Sequence, residues 1–269
     1  MVTMPMVVPV VMIMIMIVVV VRHERINGPR PPKGEDPTGD RACISGLCWR
    51  RLEALTAMAT PHLIYFSDPM CSWCYGFSPV VEDIRRAFGR ALPIRVVMGG
   101  LRPGTEQPMT EEAKLEVANH WVHVHEATGL PFDGSGMSAP GFIYDTDPAA
   151  RAVVVARRDG EEMAAAYLVR AQQAFYGEGR DVTTEAVLAD LAEELGMDRP
   201  GFVEAWSSEE AKQETWRDYA ISQRAGVTGF PTLVAGPNAE GVYGVVTRGF
   251  APGDQVVSIL KEWLERIEA

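Results

Sequence analysis

Cys71-Ser72-Trp73-Cys74 places two soft nucleophiles three residues apart, just after an apolar strand-like run and at the start of a helix-like one. At such a helix start the first thiol lies at the positive end of the helix dipole and the second one turn inside. That favours a thiolate on the first and ring closure between the two. Thiol pKa values in motifs of this kind fall from about 8.5 to roughly 3.5 to 7.5. The same four residues could instead be half of a zinc site completed by Cys43 and Cys48, or simply core cysteines. Against zinc stand the intervening Ser-Trp pair and the position of Cys43 and Cys48 in a doubtful leader. The expected chemistry is therefore thiol redox exchange, with no metal.

The elements that would hold these thiols are legible around them. His62 to Phe66 is a short apolar strand, broken by Ser67, Asp68 and Pro69; Ser72 to Phe88 carries apolar residues at helical spacing; Ile94 to Met98 is a second strand closed by Gly99 and Gly100. A strand, helix, strand unit of this length makes a parallel pair with a right-handed crossover. A long helical stretch follows from Thr110 to about Ala225, with breaks at Gly129 to Gly141, Gly177 to Asp181 and Gly196 to Pro200. Thr110 with Glu112, and Thr183 or Thr184 with Glu185, read as helix starts. Strand signals return at Thr232 to Ala235 and Tyr243 to Thr247 across a Gly/Pro/Asn turn, and Asp254 to Ile267 is an amphipathic closing helix. The expected fold class is α/β, a small mixed sheet split between its second and third strands by an all-helical insertion.

Composition bounds the function. The chain carries 25 Lys/Arg against 36 Asp/Glu, a net charge of −11. The excess sits after residue 57, where 18 basic residues meet 31 acidic ones for a net −13. So acidic a body is repelled by phosphate backbones and anionic membrane surfaces, and no nucleic-acid partner is expected. Four cysteines are too few for a disulfide-stapled secreted scaffold.

Residues 1 to 57 admit three readings. Met1 to Val21 is apolar except for Thr3, and its length just reaches that of a membrane-spanning helix, although Pro5 and Pro9 interrupt it. Arg22, Arg25, Arg30 and Lys33 follow it and would keep the rest of the chain in the cytoplasm. As an export signal it lacks a basic start and a small-x-small site. Met58 also begins a run that leads straight into the first strand, so residues 1 to 57 read equally as a misplaced translation start joined to a linker. Localisation is expected to be cytoplasmic, with a membrane relation only if residues 1 to 21 are a genuine anchor.

Tyr65 to Pro79, Met98-Gly-Gly-Leu-Arg-Pro-Gly104 and Gly226-Val-Thr-Gly-Phe-Pro-Thr232 together resemble the DsbA-like thioredoxin-fold family, in its cytoplasmic branch of predicted protein-disulfide isomerases. Asp145-Thr-Asp-Pro148 with Arg151, and Ala174 to Asp181, resemble that family's helical insertion. The resemblance implies a thioredoxin-like domain from residues 58–104 and 226–269, with the insertion at 105–225. It makes Cys71 the attacking thiol, Cys74 the resolving thiol, Pro79 the helix-kinking proline and Pro231 a cis-proline. Trp73, Phe230, Pro231 and Thr232 would then border the substrate, although Pro231 taken alone also reads as an ordinary strand-start proline. Tyr65 stands where thioredoxin has a buried acid, which leaves proton transfer to Asp68, to water or to nothing.

The expected activity is that of a protein-disulfide oxidoreductase or isomerase. Its partners would be protein or small-molecule thiols and disulfides, glutathione among the candidate thiols, and it would need no cofactor beyond the redox-active dithiol. Two alternatives share the fold: a DsbA-like adaptor that presents client proteins, and a glutathione-dependent isomerase or transferase of the kappa type, whose reactive residue is serine. Met70 reads as rim packing, and Trp73 reads either as a substrate contact or as packing over the insertion. His120, His123 and His125 do not share one helix face and read as solvated, and Met109 to Phe142 could wall a substrate groove.

Overall fold

The structure, a computed structural model, describes residues 60–238 and 240–268. The expectations for residues 1 to 57, Cys43 and Cys48 among them, lie outside these residues. Four strands form one sheet in the order β2-β1-β3-β4, where β1 is His62–Ser67, β2 Ile94–Met98, β3 Thr232–Gly236 and β4 Gly244–Arg248. β1 pairs parallel with β2 and antiparallel with β3, and β3 pairs antiparallel with β4. As a central strand β1 is covered on both faces, which is why it reads as a nearly continuous apolar run instead of an alternating one.

Helix α1 (Ser72–Phe88) crosses from β1 to β2, with Pro79 inside it. Proline has no N–H to give the carbonyl four residues back, and the Ser78 hydroxyl donates to that Tyr75 carbonyl instead, at 2.8 Å. Between β2 and β3 come α2 (Glu111–Thr128), the single turn α3 (Ser135–Ser138), α4 (Asp147–Ala156), α5 (Glu161–Gln172), α6 (Glu185–Glu194), α7 (Arg199–Ser207) and α8 (Glu209–Arg224). The Thr110 hydroxyl caps α2 by accepting from the Ala113 amide, and Gly129 ends it in the left-handed conformation at φ 74°. Of the two threonines expected to open α6, Thr184 is the N-cap residue. The break expected through Pro200 is shorter than the sequence suggests. Proline is tolerated in the first turn, where its missing N–H has no helical partner, so α7 already begins at Arg199. After α5 the helix widens into a π turn, Gln173–Gly177. The closing helix α9 is Gly253–Glu268 and packs on α1.

β2 is an edge strand, and the insertion covers that edge with side chains. The Met98 amide donates to Asp218 Oδ2 at 2.9 Å and the Val96 amide to Glu161 Oε2 at 3.3 Å, while the Val96 carbonyl accepts from Arg157 Nη1 at 3.0 Å. Arg157 also forks onto Asp218, at 2.7 and 3.1 Å. Groups that would otherwise template a second chain are used to seat α4, α5 and α8 against the sheet. No helix among the described residues is long and apolar enough to cross a membrane.

Candidate functional site

Cys71 is the N-cap residue of α1, and its own side chain makes no capping bond. The backbone turns sharply there: the Cys71 amide donates to the Asp68 carbonyl at 3.1 Å, and the Cys71 carbonyl accepts the first helical bond, from the Tyr75 amide. The Cys71 thiol therefore faces outward from the positive end of α1, and Cys74 lies one turn inside. Cys71 keeps 7% of its surface and Cys74 none, and both are free thiols. Burial, and then the neighbouring Cys71 sulfur, push the Cys74 thiol well above its ordinary value.

The Phe230 loop closes over the outer thiol. Cys71 Sγ donates to the Phe230 carbonyl at 3.6 Å across 159 residues of sequence, and the Phe230–Pro231 peptide bond is cis. Gly99 explains how the loop reaches there. A Cβ on Gly99 would lie 2.2 Å from the Phe230 ring, so only glycine at the end of β2 lets that ring settle on the backbone. Gly100, at φ 73°, accepts the Tyr219 ring of α8 in the same way. Pro231 is buried, and the Thr232 hydroxyl donates to the Gly229 carbonyl at 2.8 Å, closing the turn that carries the cis bond. Trp73 packs on Phe250, in the loop after β4, with ring centroids 5.9 Å apart. This contact lies on the β4 side of the helix start.

The stretch Met109 to Phe142, anticipated as a groove wall, borders a cavity apart from the dithiol. That cavity, of about 520 Å³, is lined among others by Lys114, Leu115, Trp121, His125 and Met137, and no residue of the dithiol or of the Phe230 loop lines it. Phe132, Tyr176 and Tyr75 stack between the two regions. His120 and His123 are exposed, and His125 Nδ1 pairs with the Leu130 carbonyl at 2.8 Å.

Asp68 is fully buried under the dithiol. Its Oδ1 accepts from the Met70 amide at 2.9 Å and its Oδ2 from the Leu101 amide at 2.8 Å, so one carboxyl group ties the Cys71 turn to the loop after β2. From the insertion, Tyr144 Oη donates to the Met70 carbonyl at 2.6 Å, and the Arg102 amide donates to Thr146 Oγ1 at 3.1 Å. The Gly104 amide donates to Asp145 Oδ1 at 2.9 Å. Sequence reasoning assigned no part in the site to Tyr144, Thr146 or Tyr176. A signal for Thr146 was available, since Asp145-Thr-Asp-Pro148 and Met98 to Gly104 are the segments now seen bonded to each other.

Desolvation raises the Asp68 carboxyl from 3.8 to about 6, against the pull of its hydrogen bonds from Leu101 and Met70. The folded chain then holds this proton up to about pH 6, whereas the unfolded chain releases it near 3.8. Asp68 thus contributes stability below the lower value that is lost as pH rises through the upper one, a difference of roughly 3 kcal/mol. In urea unfolding at several pH values, Asp68→Asn should flatten this part of the profile between about pH 4 and 6. A stability difference from wild type that does not vary with pH would contradict the assignment.

The family model of the DSBA-like thioredoxin domain matches residues 62–260. Among solved structures the chain is similar to a presumed protein disulfide isomerase from Nitrosomonas europaea, with 36% identity and a TM-score of 0.71, covering 77% of this chain and 98% of that one. It is also similar to the cytosolic disulfide reductase DsbM from Pseudomonas aeruginosa, with 28% identity and a TM-score of 0.63, covering 76% and 99%. The ClpXP adapter protein SpxH of Shouchella clausii is 23% identical over 221 residues, 82% of this chain and 73% of the relative. With its mixed sheet, its dithiol at the start of α1 and its helices inserted between β2 and β3, the chain belongs to the DSBA-like thioredoxin domain family.

Proposed function

We propose that this protein is a thiol-disulfide oxidoreductase working as a reductase or isomerase through Cys71 and Cys74. The observation that carries this reading is the pair's asymmetry: one thiol at the mouth of α1 under the Phe230 carbonyl, the other sealed a turn behind it. The Cys71 thiolate attacks a substrate disulfide and expels one substrate sulfur. Cys74 then displaces the other, leaving a Cys71–Cys74 disulfide that an external thiol reduces. Trp73 and Phe230, both partly exposed, form the surface an incoming extended chain would meet, with Pro231 buried in the same loop as Phe230.

Glutathione is the proposed external thiol, and DsbM, the relative in Pseudomonas aeruginosa, has also been solved with GSH. Arg248, exposed at a cavity of about 150 Å³ beside the Phe230 loop, offers a cation to a carboxylate-bearing thiol. A cytoplasmic setting, in which the dithiol form dominates and net reduction is favoured, is part of the same proposal. The test is insulin-disulfide reduction driven by glutathione, together with titration of the dithiol in glutathione redox buffers. Turnover and a reducing potential support the reading. Undiminished capture of client proteins by a Cys71→Ser/Cys74→Ser variant, with no reduction by wild type, would favour the adaptor role suggested by the distant SpxH relative.

A further inference from the structure

Resolution of the mixed disulfide requires negative charge on Cys74, the most deeply buried atom of the dithiol, and the fold places no acid side chain at the Tyr65 position to manage its proton. Tyr65 and Ser67 are two apart on β1 and so share one face of the strand. That face looks at α1: the Tyr65 ring packs on Phe77, one turn beyond Cys74, with centroids 5.7 Å apart. Tyr65 is 2% exposed and Ser67 fully buried, and among the described residues neither hydroxyl has a hydrogen-bond partner at normal distance and angle. A sealed hydroxyl without an acceptor is costly, and such groups point to a state in which the acceptor appears. The polar neighbours of the Tyr65 hydroxyl are the Cys74 sulfur and the Ser67 hydroxyl, and those of the Cys74 sulfur include Ser67 and the Asp68 amide.

We propose that the Tyr65 and Ser67 hydroxyls, with the Asp68 amide, form a donor cradle for the charge that develops on the Cys74 sulfur when it resolves the mixed disulfide. The role rests on the exchange reaction proposed above. Burial keeps the Tyr65 hydroxyl protonated, so it donates a hydrogen bond and does not act as a base. In the step itself, the Cys74 sulfur bonds to the Cys71 sulfur while the bond between Cys71 and the substrate sulfur breaks. The electron pair leaves on the substrate sulfur, which takes up the proton Cys74 gives up. The two protein thiols are oxidised by two electrons, and the substrate disulfide is reduced to two thiols. Preorganised donors aimed at the developing charge lower this barrier without having to move during the reaction.

The test uses the full chain with Cys43 and Cys48 replaced by Ser, and dithiobis-nitrobenzoate as the disulfide. Attack by Cys71 releases a first coloured thiolate and resolution by Cys74 a second, so the two steps are read separately. In Tyr65→Phe and in Ser67→Ala the ratio of the second rate to the first should fall roughly tenfold, the usual consequence of losing a hydrogen bond to a charged group. Urea unfolding of Tyr65→Phe should show stability equal to or above that of wild type, because the substitution removes a buried hydroxyl that had no partner; a merely structural role would lower it. An unchanged rate ratio in both variants would overturn the proposal. So would crystal structures in which both hydroxyls donate to other acceptors in the reduced and oxidised forms alike. If the first release is missing in wild type, the exchange reading fails and this role with it.

Discussion

Cys74→Ser is expected to accumulate mixed disulfides with its substrates, while Cys71→Ser forms none, and both should reduce insulin no faster than the uncatalysed control. The argument is geometric before it is chemical. Of the two cysteines only Cys71 keeps any exposed surface, at the end of α1 where the unpaired helical amides favour an anion, and its thiol donates to the Phe230 carbonyl. Cys74 has no exposed surface, and burial pushes its thiol upward, away from the thiolate form. An external disulfide can therefore meet Cys71 and cannot meet Cys74. Removing Cys74 leaves attack possible and resolution impossible, which is the condition for a trap. Mass spectrometry of iodoacetamide-treated protein near neutral pH should find Cys71 modified at least roughly tenfold faster than Cys74. Preferential labelling of Cys74 would reverse the assignment of roles.

Tyr176→Ala should cost about 3 to 5 kcal/mol, the usual range for deleting a fully buried aromatic ring. For a body of this size that corresponds to a fall in melting temperature of roughly 6 to 20 °C. Tyr176 is completely buried in the π turn, and its ring meets Phe175, Tyr75, Trp121 and Phe132 with centroids 4.9 to 5.4 Å apart. Because Tyr75 belongs to α1, the ring fastens the insertion to the helix that carries the dithiol. Tyr176→Phe keeps all of these contacts and loses only the 3.3 Å pairing with the Tyr144 hydroxyl, so it should stay within about 1 kcal/mol of wild type. Thermal unfolding followed by circular dichroism decides the matter. Equal losses in both variants would mean that the hydroxyl, and not the packing of the ring, holds the junction.

The resemblance brought the Phe230 to Thr232 loop to the dithiol across the whole insertion, and the structure supplies the geometry at Phe230. The segment Gly226 to Thr232 was expected beside the dithiol, yet nothing in that segment shows that Gly99 must be bare for the Phe230 ring to arrive there. Likewise Trp73 read equally as a substrate contact or as packing over the insertion, and only the course of the β4 to α9 loop brings Phe250 under it.

What the sequence determines by itself is what neighbouring residues dictate to one another. Alternation of strand and helix patterns, threonine and glycine at the ends of α2, and the two thiols at a strand-to-helix turn are all written within a few residues of where they act. Tertiary structure decides what acts at long range. Tyr144 reaches Met70 from 74 residues away, Asp218 and Arg157 close the β2 edge from α8 and the end of α4, and Tyr65 and Ser67 become hydroxyls without partners only once α1 lies over β1. Periodicity tells which face of an element is buried, but not which side chain of another element lies against it. That pairing is fixed when the helices and the sheet pack to native density, and it places the groups around Cys74.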